Sequence, residues 1–234
     1  MARTLNPEVH AVRRDTFLDA AQGLIQAKGY EQMSIQDVLD AVGTSKGAFY
    51  HYFDSKAALL EAVIARMVTM ATAELEPLLA DPNRTALEKY NGMFQGIASW
   101  KTQRRDLLLA VLETWLSDDN AIVREKFRRH VAARLAPLLA SIVRQGAREG
   151  TMAVDDPDDA ALVVVALILG VNELAGSLFV AYQAGTTSIE SIAATFEAFR
   201  AAMERILGLA TGTLHLVDQD TLRWWFEQSR KEHP

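Results

Sequence analysis

An all-α fold is predicted for this chain of 234 residues. Apolar residues recur every three or four positions along most of it, the spacing of one helix face, and no sustained alternation of apolar and polar residues indicates a strand. Residues that cap helices, such as Asn6, Ser34 and Asp156, stand immediately before several of these periodic segments. Spacing and caps together favour helices throughout.

The first helix is predicted to begin after Asn6, with Pro7 in its first turn, and to end at Lys28-Gly29. A second, short helix is predicted from Ser34 to Gly43. Its start is a capping box, because Ser34 is followed three residues later by Asp37, whose carboxylate can reach back to the chain at the cap.

The segment GTSKGAFYHYF, residues 43–53, follows directly and admits three interpretations: a phosphate-binding loop, a buried strand or a short helix with two unlike faces. The spacing of glycines and lysine does not fit a phosphate loop, in which Lys is followed by Ser or Thr after a strand. A buried strand would leave Ser45, Lys46 and His51 without partners. A helix over Ser45–Tyr52 remains, with Phe49 and Phe53 one turn apart on the buried side.

Further helices are predicted to the end of the chain. The next one starts at Ser55-Lys56 and runs to about Ala80, and Pro137 is expected to kink one of those that follow. Asp156-Pro157 begins a very apolar helix, and Thr187-Ser188-Ile189-Glu190 is predicted to be a second capping box. The segments are 85–100, 106–115, 120–147, 157–184 and 188–206, with one more short helix around Trp224-Trp225-Phe226.

Composition narrows the class of protein. Hydrophobic residues make up 50% of the chain and charged residues 23%, which is typical of a globular protein, and the chain has no cysteine to form a disulfide or a thiolate metal site. The N-terminus lacks a secretory apolar segment. The apolar run Ala160–Val171, interrupted by Asn172 and Glu173, is shorter than the roughly 20 residues of a membrane span. We expect a cytoplasmic protein with no membrane partner.

Charge alone does not indicate a nucleic-acid partner, since the formal net charge is −6 and residues 1–56 carry net −1. Any DNA-binding interpretation depends on where the cations lie. Enzyme classes find little support, because the chain has no glycine-rich nucleotide loop, no His-Glu-x-x-His motif and only five scattered histidines. We expect no cofactor and no metal.

The segment SIQDVLDAVGTSKGAFYHYFDSKAALL, residues 34–60, closely resembles the signature of the tetracycline-repressor (TetR) family of bacterial transcriptional regulators. The resemblance extends over roughly residues 10–60. Thr44 and Leu39 depart from it, because the family generally has an aliphatic and a small residue there. The remaining three quarters of the chain resembles the family in helix number and length.

This resemblance implies a DNA-binding helix-turn-helix domain over residues 1–56 and a ligand-binding and dimerisation domain over residues 57–234. It implies a homodimer that binds double-stranded operator DNA, places paired short helices in successive major grooves, and responds to a small-molecule effector. The residues expected to contact DNA are Ser34, Gln36, Ser45, Lys46, Gly47, Ala48, Tyr50, His51 and Lys56.

The effector site is predicted from aromatic, thioether and isolated polar residues on the longer helices, although core packing is the preferred explanation for any single aromatic residue. The candidates are Met67, Tyr90, Phe94, Trp100, Trp115, Asn172 and Glu173, and they favour a bulky, mostly apolar or aromatic effector. A dimer seam is predicted on the stripe Ile189, Ile192, Phe196, Phe199, Met203 and Ile206. The alternative function is a helical ligand-binding or interaction protein that has lost DNA binding.

Overall fold

A computed structural model of the protein describes residues 7–116 and 121–232. Within those ranges the regular structure is entirely helical, which confirms the predicted all-α fold. The helices are α1 (Pro7–Lys28), α2 (Ile35–Val42), α3 (Lys46–Tyr50), α4 (Lys56–Ala73), α5 (Glu76–Ala80), α6 (Ala86–Gln103), α7 (Arg105–Leu116), α8 (Ala121–Glu149), α9 (Pro157–Gln183), α10 (Ile189–Ile206) and α11 (Gln219–Glu232).

The chain divides into two compact units. The first unit comprises Met1–Met70 with Arg104–Phe127, and the second comprises Ala71–Gln103 with Arg128–Pro234. Compactness is a different criterion from function, so the expected functional boundary at residue 56 stays a prediction.

The first unit is built around α1, which packs against α2 and α7. Phe17, Ala21 and Ile25 lie on one face of α1 and are fully buried, as their spacing of four residues requires. Each buried side chain of this size stabilises the fold by about 1.5–3 kcal/mol relative to an exposed one. Helix α1 ends as predicted, because Gly29 adopts φ 79, a left-handed conformation that stops the helix. The predicted cap Asn6 lies outside the described residues.

Helix α4 is shorter than predicted. It ends at Ala73 instead of continuing to about Ala80, and α5 begins separately at Glu76 with a proline in its first turn. Pro77 explains the break, because a proline ring clashes with the carbonyl four residues earlier, which here belongs to Ala73.

The start of α10 also differs by one residue from the prediction. The side chain of Ser188, rather than Thr187, caps the helix and accepts a hydrogen bond from the backbone N–H of Ser191 at 3.2 Å. The start of α9 is as predicted: the Asp156 side chain accepts from the N–H groups of Asp158 and Asp159, and Pro157 occupies the first turn.

The C-terminal segment is tied to the body of the second unit. Asn91 on α6 donates to the carbonyl of Thr213 at 3.3 Å and accepts from the N–H of His215 at 2.9 Å. Between these residues, the N–H of Leu214 donates to the buried carboxylate of Glu204 on α10 at 2.9 Å. The predicted helix at the tail is confirmed as α11, which packs on α9 and α10.

Helix α9 extends over the predicted segment to within one residue. It runs for 27 residues, and its most apolar stretch has a mean hydropathy of 2.1 with only 22% of residues buried. By length and composition alone it could cross a membrane, a test that core helices of soluble proteins also pass. Asn172 does not interrupt the helix, because its side-chain amide donates to the carbonyl of Ile168 one turn earlier. The same composition is typical of a helix at a protein interface.

The dimer stripe predicted on α10 needs a correction. Ile192 and Met203 are fully buried within the protomer and have no surface left for a partner. The other four residues of the stripe, Ile189, Phe196, Phe199 and Ile206, are partly exposed. The spacing of 3 and 4 residues indicated a buried face correctly, but for two of its members the covering elements belong to the same chain.

Candidate nucleic-acid interface

The supporting helix α2 has a fixed N-terminus. The backbone N–H and the hydroxyl of Ser34 both donate to the Asp37 carboxylate at 2.7 Å, and the N–H of Asp37 donates back to Ser34 Oγ at 3.1 Å. Lys28 pairs with the same carboxylate at 2.7 Å. The hydrogen bond from Lys28, followed by those from Ser34, holds the pKa of Asp37 well below its usual range. The predicted capping box is confirmed, and the backbone N–H of Ser34 is already used within the chain.

The turn between α2 and α3 depends on Gly43. Its φ of 67 lies in the left-handed region, where a side chain would be strained. The N–H of Gly43 donates to Asp40 at 3.3 Å and that of Thr44 to Leu39 at 3.1 Å, so the last carbonyls of α2 are satisfied. Thr44 puts a hydroxyl where the family generally has an aliphatic side chain, and this hydroxyl accepts from Arg13 on α1 at 3.5 Å.

Helix α3 is the short helix with two unlike faces, although it is shorter than the predicted Ser45–Tyr52. It has 5 residues, Lys46–Tyr50, and Ser45 caps it by accepting from the N–H of Ala48 at 3.4 Å. His51 is the residue at its C-terminal cap. The chain continues to turn beyond the helix, since the N–H groups of Tyr52 and Phe53 both donate to Phe49.

Aromatic rings fix the orientation of α3. Phe49 is fully buried and Phe53 nearly so, as predicted. Their ring centroids lie 5.9 and 6.0 Å from that of Phe17 on α1, in edge-to-face arrangements, and 5.7 Å from each other. Such pairs favour defined geometries, so this cluster holds the short helix against α1.

The opposite side of α3 is open to solvent. Ser45, Lys46, Gly47 and His51 are exposed, and Tyr50 is 46% exposed. The Lys46 ammonium lies 6.0 Å from the centre of the Tyr50 ring, so both groups are presented on the same surface.

His51 and Tyr52 differ in exposure although they are neighbours. The Tyr52 ring is partly buried, with centroids 4.6 Å from His10 and 5.5 Å from Phe17. His51 is exposed and has its ring 5.6 Å from that of His10, in an edge-on arrangement. Tyr52 is therefore part of the anchor, whereas His51 belongs to the open surface.

Besides Ser45, which caps α3, three of the expected DNA contacts already have side-chain partners within the chain. Gln36 donates to Asp40 at 2.7 Å, and Ser34 is engaged with Asp37. The Lys56 ammonium donates to the carbonyl of Glu31 at 3.2 Å and lies 4.2 Å from the centre of the Tyr30 ring. A phosphate contact from Lys56 stays a prediction, and it would have to share or replace these interactions.

The basic run at the start of α8 is used for internal contacts. Arg124 donates to the carbonyl of Trp115 at 2.6 Å, Lys126 pairs with Glu61, and Arg128 pairs with Glu173 at 3.1 Å. These contacts favour a structural role over a second nucleic-acid surface.

The predicted effector residues divide between the two units. Met67 and Trp115 are partly buried and pack against the core of the first unit. The five in the second unit are Tyr90, Phe94, Trp100, Asn172 and Glu173.

Within the second unit, Tyr90 is fully buried, with its hydroxyl 3.5 Å from Met203 Sδ, and this burial raises its pKa. Phe94 stacks on Tyr90 with ring centroids 5.1 Å apart and stays partly exposed. Glu173 is paired with Arg128. Tyr90 is thus a core residue, and Phe94 and Asn172 are the more accessible candidates.

Lys101 was missed by sequence reasoning. It lies in the last turn of α6 and donates to the side-chain oxygen of Asn172 on α9. Burial of the amine lowers the pKa of Lys101 to about 8. A lysine in a last helical turn is ordinarily explained by the helix dipole, so the sequence carried no signal for this contact.

No cluster of three or more His, Cys, Asp or Glu side chains suitable for a metal occurs in residues 7–116 and 121–232.

Comparison with known proteins bears on the same segment. Residues 17–63, which include α2, α3 and the aromatic anchor, match the family described as bacterial regulatory proteins, tetR family. Over residues 17–63 the chain belongs to the TetR family. The match covers the residues on which the resemblance was recognised, and the TetR-family relatives are regulators rather than enzymes.

Two relatives illustrate how far the likeness extends. An uncharacterised HTH-type transcriptional regulator of Lactococcus lactis is 35% identical over 100 residues, 42% of this chain and 51% of the relative. The HTH-type transcriptional repressor KstR2 of Mycolicibacterium smegmatis is 30% identical over 88 residues, 38% of this chain and 42% of the relative. The chain thus aligns with about half or less of the length of these relatives.

A solved structure resembles the chain over almost its full length. The structure of RolR in complex with resorcinol matches 93% of this chain and 96% of its own, with a TM-score of 0.61 and 16% identity. At that identity the likeness concerns the fold alone, and it extends over both units of the chain.

Proposed function

We propose that the protein is a ligand-responsive transcriptional repressor that binds a palindromic operator as a homodimer. The observation that carries this proposal is the two-faced α3: its phenyl rings are locked against α1, while Lys46, Tyr50 and His51 are held together on the open side. A short helix presented in this way after a tight turn is the geometry of a helix-turn-helix reader in the major groove. The similarity to an HTH-type transcriptional regulator and to the transcriptional repressor KstR2 supports the same function.

The exposed residues of α3 suggest separate roles. Lys46 and His51 can donate to base edges or phosphates, and Tyr50 can donate its hydroxyl to a phosphate oxygen. Ala48 is partly buried and could meet a thymine methyl. Since the whole chain carries net −6, this local surface rather than overall charge must supply the attraction for DNA.

Gly47 supports close approach to another molecule. A Cβ atom at this position would meet only Ser45 Oγ, at 4.0 Å, so the fold does not need a glycine here. Glycine inside a helix costs about 0.5–1 kcal/mol relative to alanine. A residue that is unfavourable for the helix and unnecessary for packing is explained if α3 must come close to the DNA backbone or base edges.

Homodimerisation is supported by the outward face of α9. Leu162, Val163, Leu174 and Val180 are 36–55% exposed there, although α9 packs against α10 and α11 on its other side. A contiguous apolar face on a soluble protein is typical of an interface. A second copy of the chain would cover it by two-fold symmetry and would set two α3 helices about 34–36 Å apart, one turn of DNA.

The effector is proposed to be small and mostly apolar or aromatic, and to bind the second unit. Partly exposed Phe94 next to buried Tyr90 supports an aromatic contact. RolR, which has the same fold, is described as a complex with resorcinol. A regulator that acts on DNA is expected in the cytoplasm.

The test is direct selection of an operator. A randomised duplex library is enriched on the purified protein, and binding of the selected sequence is measured by fluorescence anisotropy at several salt concentrations. We expect palindromic sequences, a stoichiometry of two protomers per duplex, and affinity that falls steeply with salt. Failure to enrich any sequence at low salt would favour the alternative, a helical binding protein without DNA function.

A further inference from the structure

No carboxylate in residues 7–116 and 121–232 pairs with the ammonium group of Lys101. The hydrogen bond that its Nζ makes goes to the neutral side-chain oxygen of Asn172, and Asn172 in turn donates its Nδ2 to the carbonyl of Ile168 at 2.6 Å. The Lys101 side chain is partly buried, and burial lowers its pKa to about 8. A cation taken out of water is ordinarily paired with a carboxylate, so this arrangement lacks one component.

The nearest charged pair along α9 does not supply that component. Glu173 follows Asn172 in the chain, but its carboxylate is bound by Arg128 of α8 at 3.1 Å. Adjacent residues on a helix point about 100° apart, so Glu173 and Asn172 face different neighbours. Lys101 therefore keeps its positive charge facing Asn172 alone.

The position of Asn172 on α9 indicates an opening beside it. It lies one turn after Ile168, which is buried, and about 200° around the helix from the outward-facing Leu174. On this inner side a residue is expected to be covered, yet Asn172 is exposed. Ala175 and Gly176, which follow in the next turn, are small and partly exposed, so the side chains leave room there.

Helix α6 contributes an aromatic surface to the same region. Phe94 and Lys101 are seven positions apart and so lie on one side of α6, separated by about 10 Å along the helix axis. Phe94 is partly exposed and rests on the buried Tyr90 ring. Helices α6 and α9 are joined here by the hydrogen bond from Lys101 to Asn172.

We infer that the effector carries an acidic head, such as a carboxylate, phenolate or sulfonate, on an apolar or aromatic body. The head takes the position of the missing anion at Lys101 and accepts a second hydrogen bond from the Asn172 amide, while the body lies along α6 towards Phe94. This inference rests on the proposed effector response and adds its chemical class. It differs from the prediction of a mostly apolar ligand by requiring one negative charge at one end.

Two fluorescent probes that differ only in the acidic group test the inference. The anion is 8-anilinonaphthalene-1-sulfonate, and its neutral counterpart is N-phenyl-1-naphthylamine. Affinity and stoichiometry of each are measured by fluorescence and calorimetry on the full chain without DNA. The variants are Lys101→Met and Lys101→Arg, with Arg144→Met as the matched control, since Arg144 is a more exposed cation of the same unit that pairs with Asp158.

We expect the sulfonate to bind the wild type, to bind Lys101→Met at least about tenfold more weakly, and to bind Lys101→Arg and Arg144→Met nearly as well as the wild type. The neutral probe should bind all four proteins alike. Sulfonate binding to the wild type should also weaken as the pH rises above about 8, where Lys101 loses its proton, whereas binding to Lys101→Arg stays constant because arginine keeps its charge.

The inference is overturned if the sulfonate fails to bind, if it binds Lys101→Met as tightly as the wild type, or if both probes respond equally to the substitution. A parallel measurement of operator binding separates this result from the proposed function. Lys101→Met that binds operator like the wild type, without any change in sulfonate affinity, would remove the acidic head and leave the regulator intact. Loss of operator binding in the wild type itself would remove the proposed function instead.

Discussion

Helices α3 and α9 differ in whether their apolar side chains are buried or exposed. The five-residue α3 buries Phe49 and exposes Lys46 and Gly47. The much longer α9 buries apolar residues on its inner side and also exposes Val163 and Leu174 on its outer side. The Phe49 side chain of α3 is therefore already covered within the chain, and the exposed side of this helix presents polar groups to an outside partner. Part of the apolar surface of α9, in contrast, is exposed to solvent.

This difference indicates two kinds of partner. A fixed polar surface suits the phosphates and base edges of DNA, which need donors in defined positions. An uncovered apolar face suits another apolar face, and a second copy of the chain provides one with matching symmetry. Each prediction below alters one side of the comparison while leaving the other intact.

The largest effect is expected from charges on the outer face of α9. Val163→Glu combined with Leu174→Glu should convert the dimer to a folded monomer and weaken operator binding at least about 100-fold, since each carboxylate would lose most of its hydration at the interface. Sedimentation velocity and anisotropy measure the two changes.

Ile122→Glu is the control for that pair, because Ile122 is a 71% exposed apolar residue on another helix, in the part of α8 that belongs to the first unit. An unchanged dimer in the double variant would show that α9 is covered by something else. Partition of the wild-type protein into vesicles, with Val163 and Leu174 required, would point to a membrane.

On the other side of the comparison, Lys46→Ala should weaken operator binding by about 1–3 kcal/mol, or roughly 5- to 150-fold, while the dimer and the melting temperature stay unchanged. Tyr50→Phe should have a smaller effect in the same direction. Lys126→Ala is the control, since its ammonium pairs with Glu61 rather than facing the α3 surface. Wild-type affinity in both α3 variants would remove α3 as the reading helix.

A smaller effect with opposite signs is expected at Gly47. Gly47→Ala should stabilise the protein by about 0.5–1 kcal/mol, because alanine favours a helix and the new Cβ has space. The same change should weaken operator binding if α3 approaches DNA closely. Gly43→Ala provides the contrast: with φ at 67 it should destabilise the protein by about 1 kcal/mol in chemical denaturation. Destabilisation by Gly47→Ala would contradict this account.

The smallest effect concerns pH. The pKa of Lys101 is about 8 in the folded protein and 10.5 in its ordinary state, so the unfolded chain binds more protons between those values. Burial of the charged form destabilises the protein below pH 8, and that cost is relieved as the pH rises towards 10.5. Melting curves of the wild type should therefore shift upward over this range relative to Lys101→Met. Parallel curves would show that Lys101 is not desolvated.

The helix-turn-helix region was predictable because the sequence signals for its helices and turn are local. The capping box of Ser34 and Asp37, the turn at Gly43 and the pair Phe49 and Phe53 each lie within a few residues, and all were found where the sequence indicated. The length of α3 was wrong: the helix ends at Tyr50, and Tyr52 packs with His10 and Phe17, which are distant in sequence.

The rest of the chain was less predictable because its decisive contacts are tertiary. Asn172 was expected to interrupt an apolar run, but its side chain bonds within the helix and to Lys101 on another helix. Met203 was assigned to a dimer surface, although elements of the same protomer enclose it. Periodicity identifies the face of a helix that is covered, but it does not say which part of the molecule covers it.

Glu204 has a consequence for anyone shortening the chain. Its carboxylate is buried near the end of α10 and accepts hydrogen bonds from Arg200 and from the N–H of Leu214. Asn91 forms hydrogen bonds with the backbone on either side of Leu214. Truncation after Ile206 would remove the N–H of Leu214 and expose one side of the Glu204 carboxylate to solvent, while Glu204 and Arg200 would remain in the protein. Proteolytic removal of the tail should thus give a poorly folded, aggregation-prone fragment instead of a smaller folded regulator.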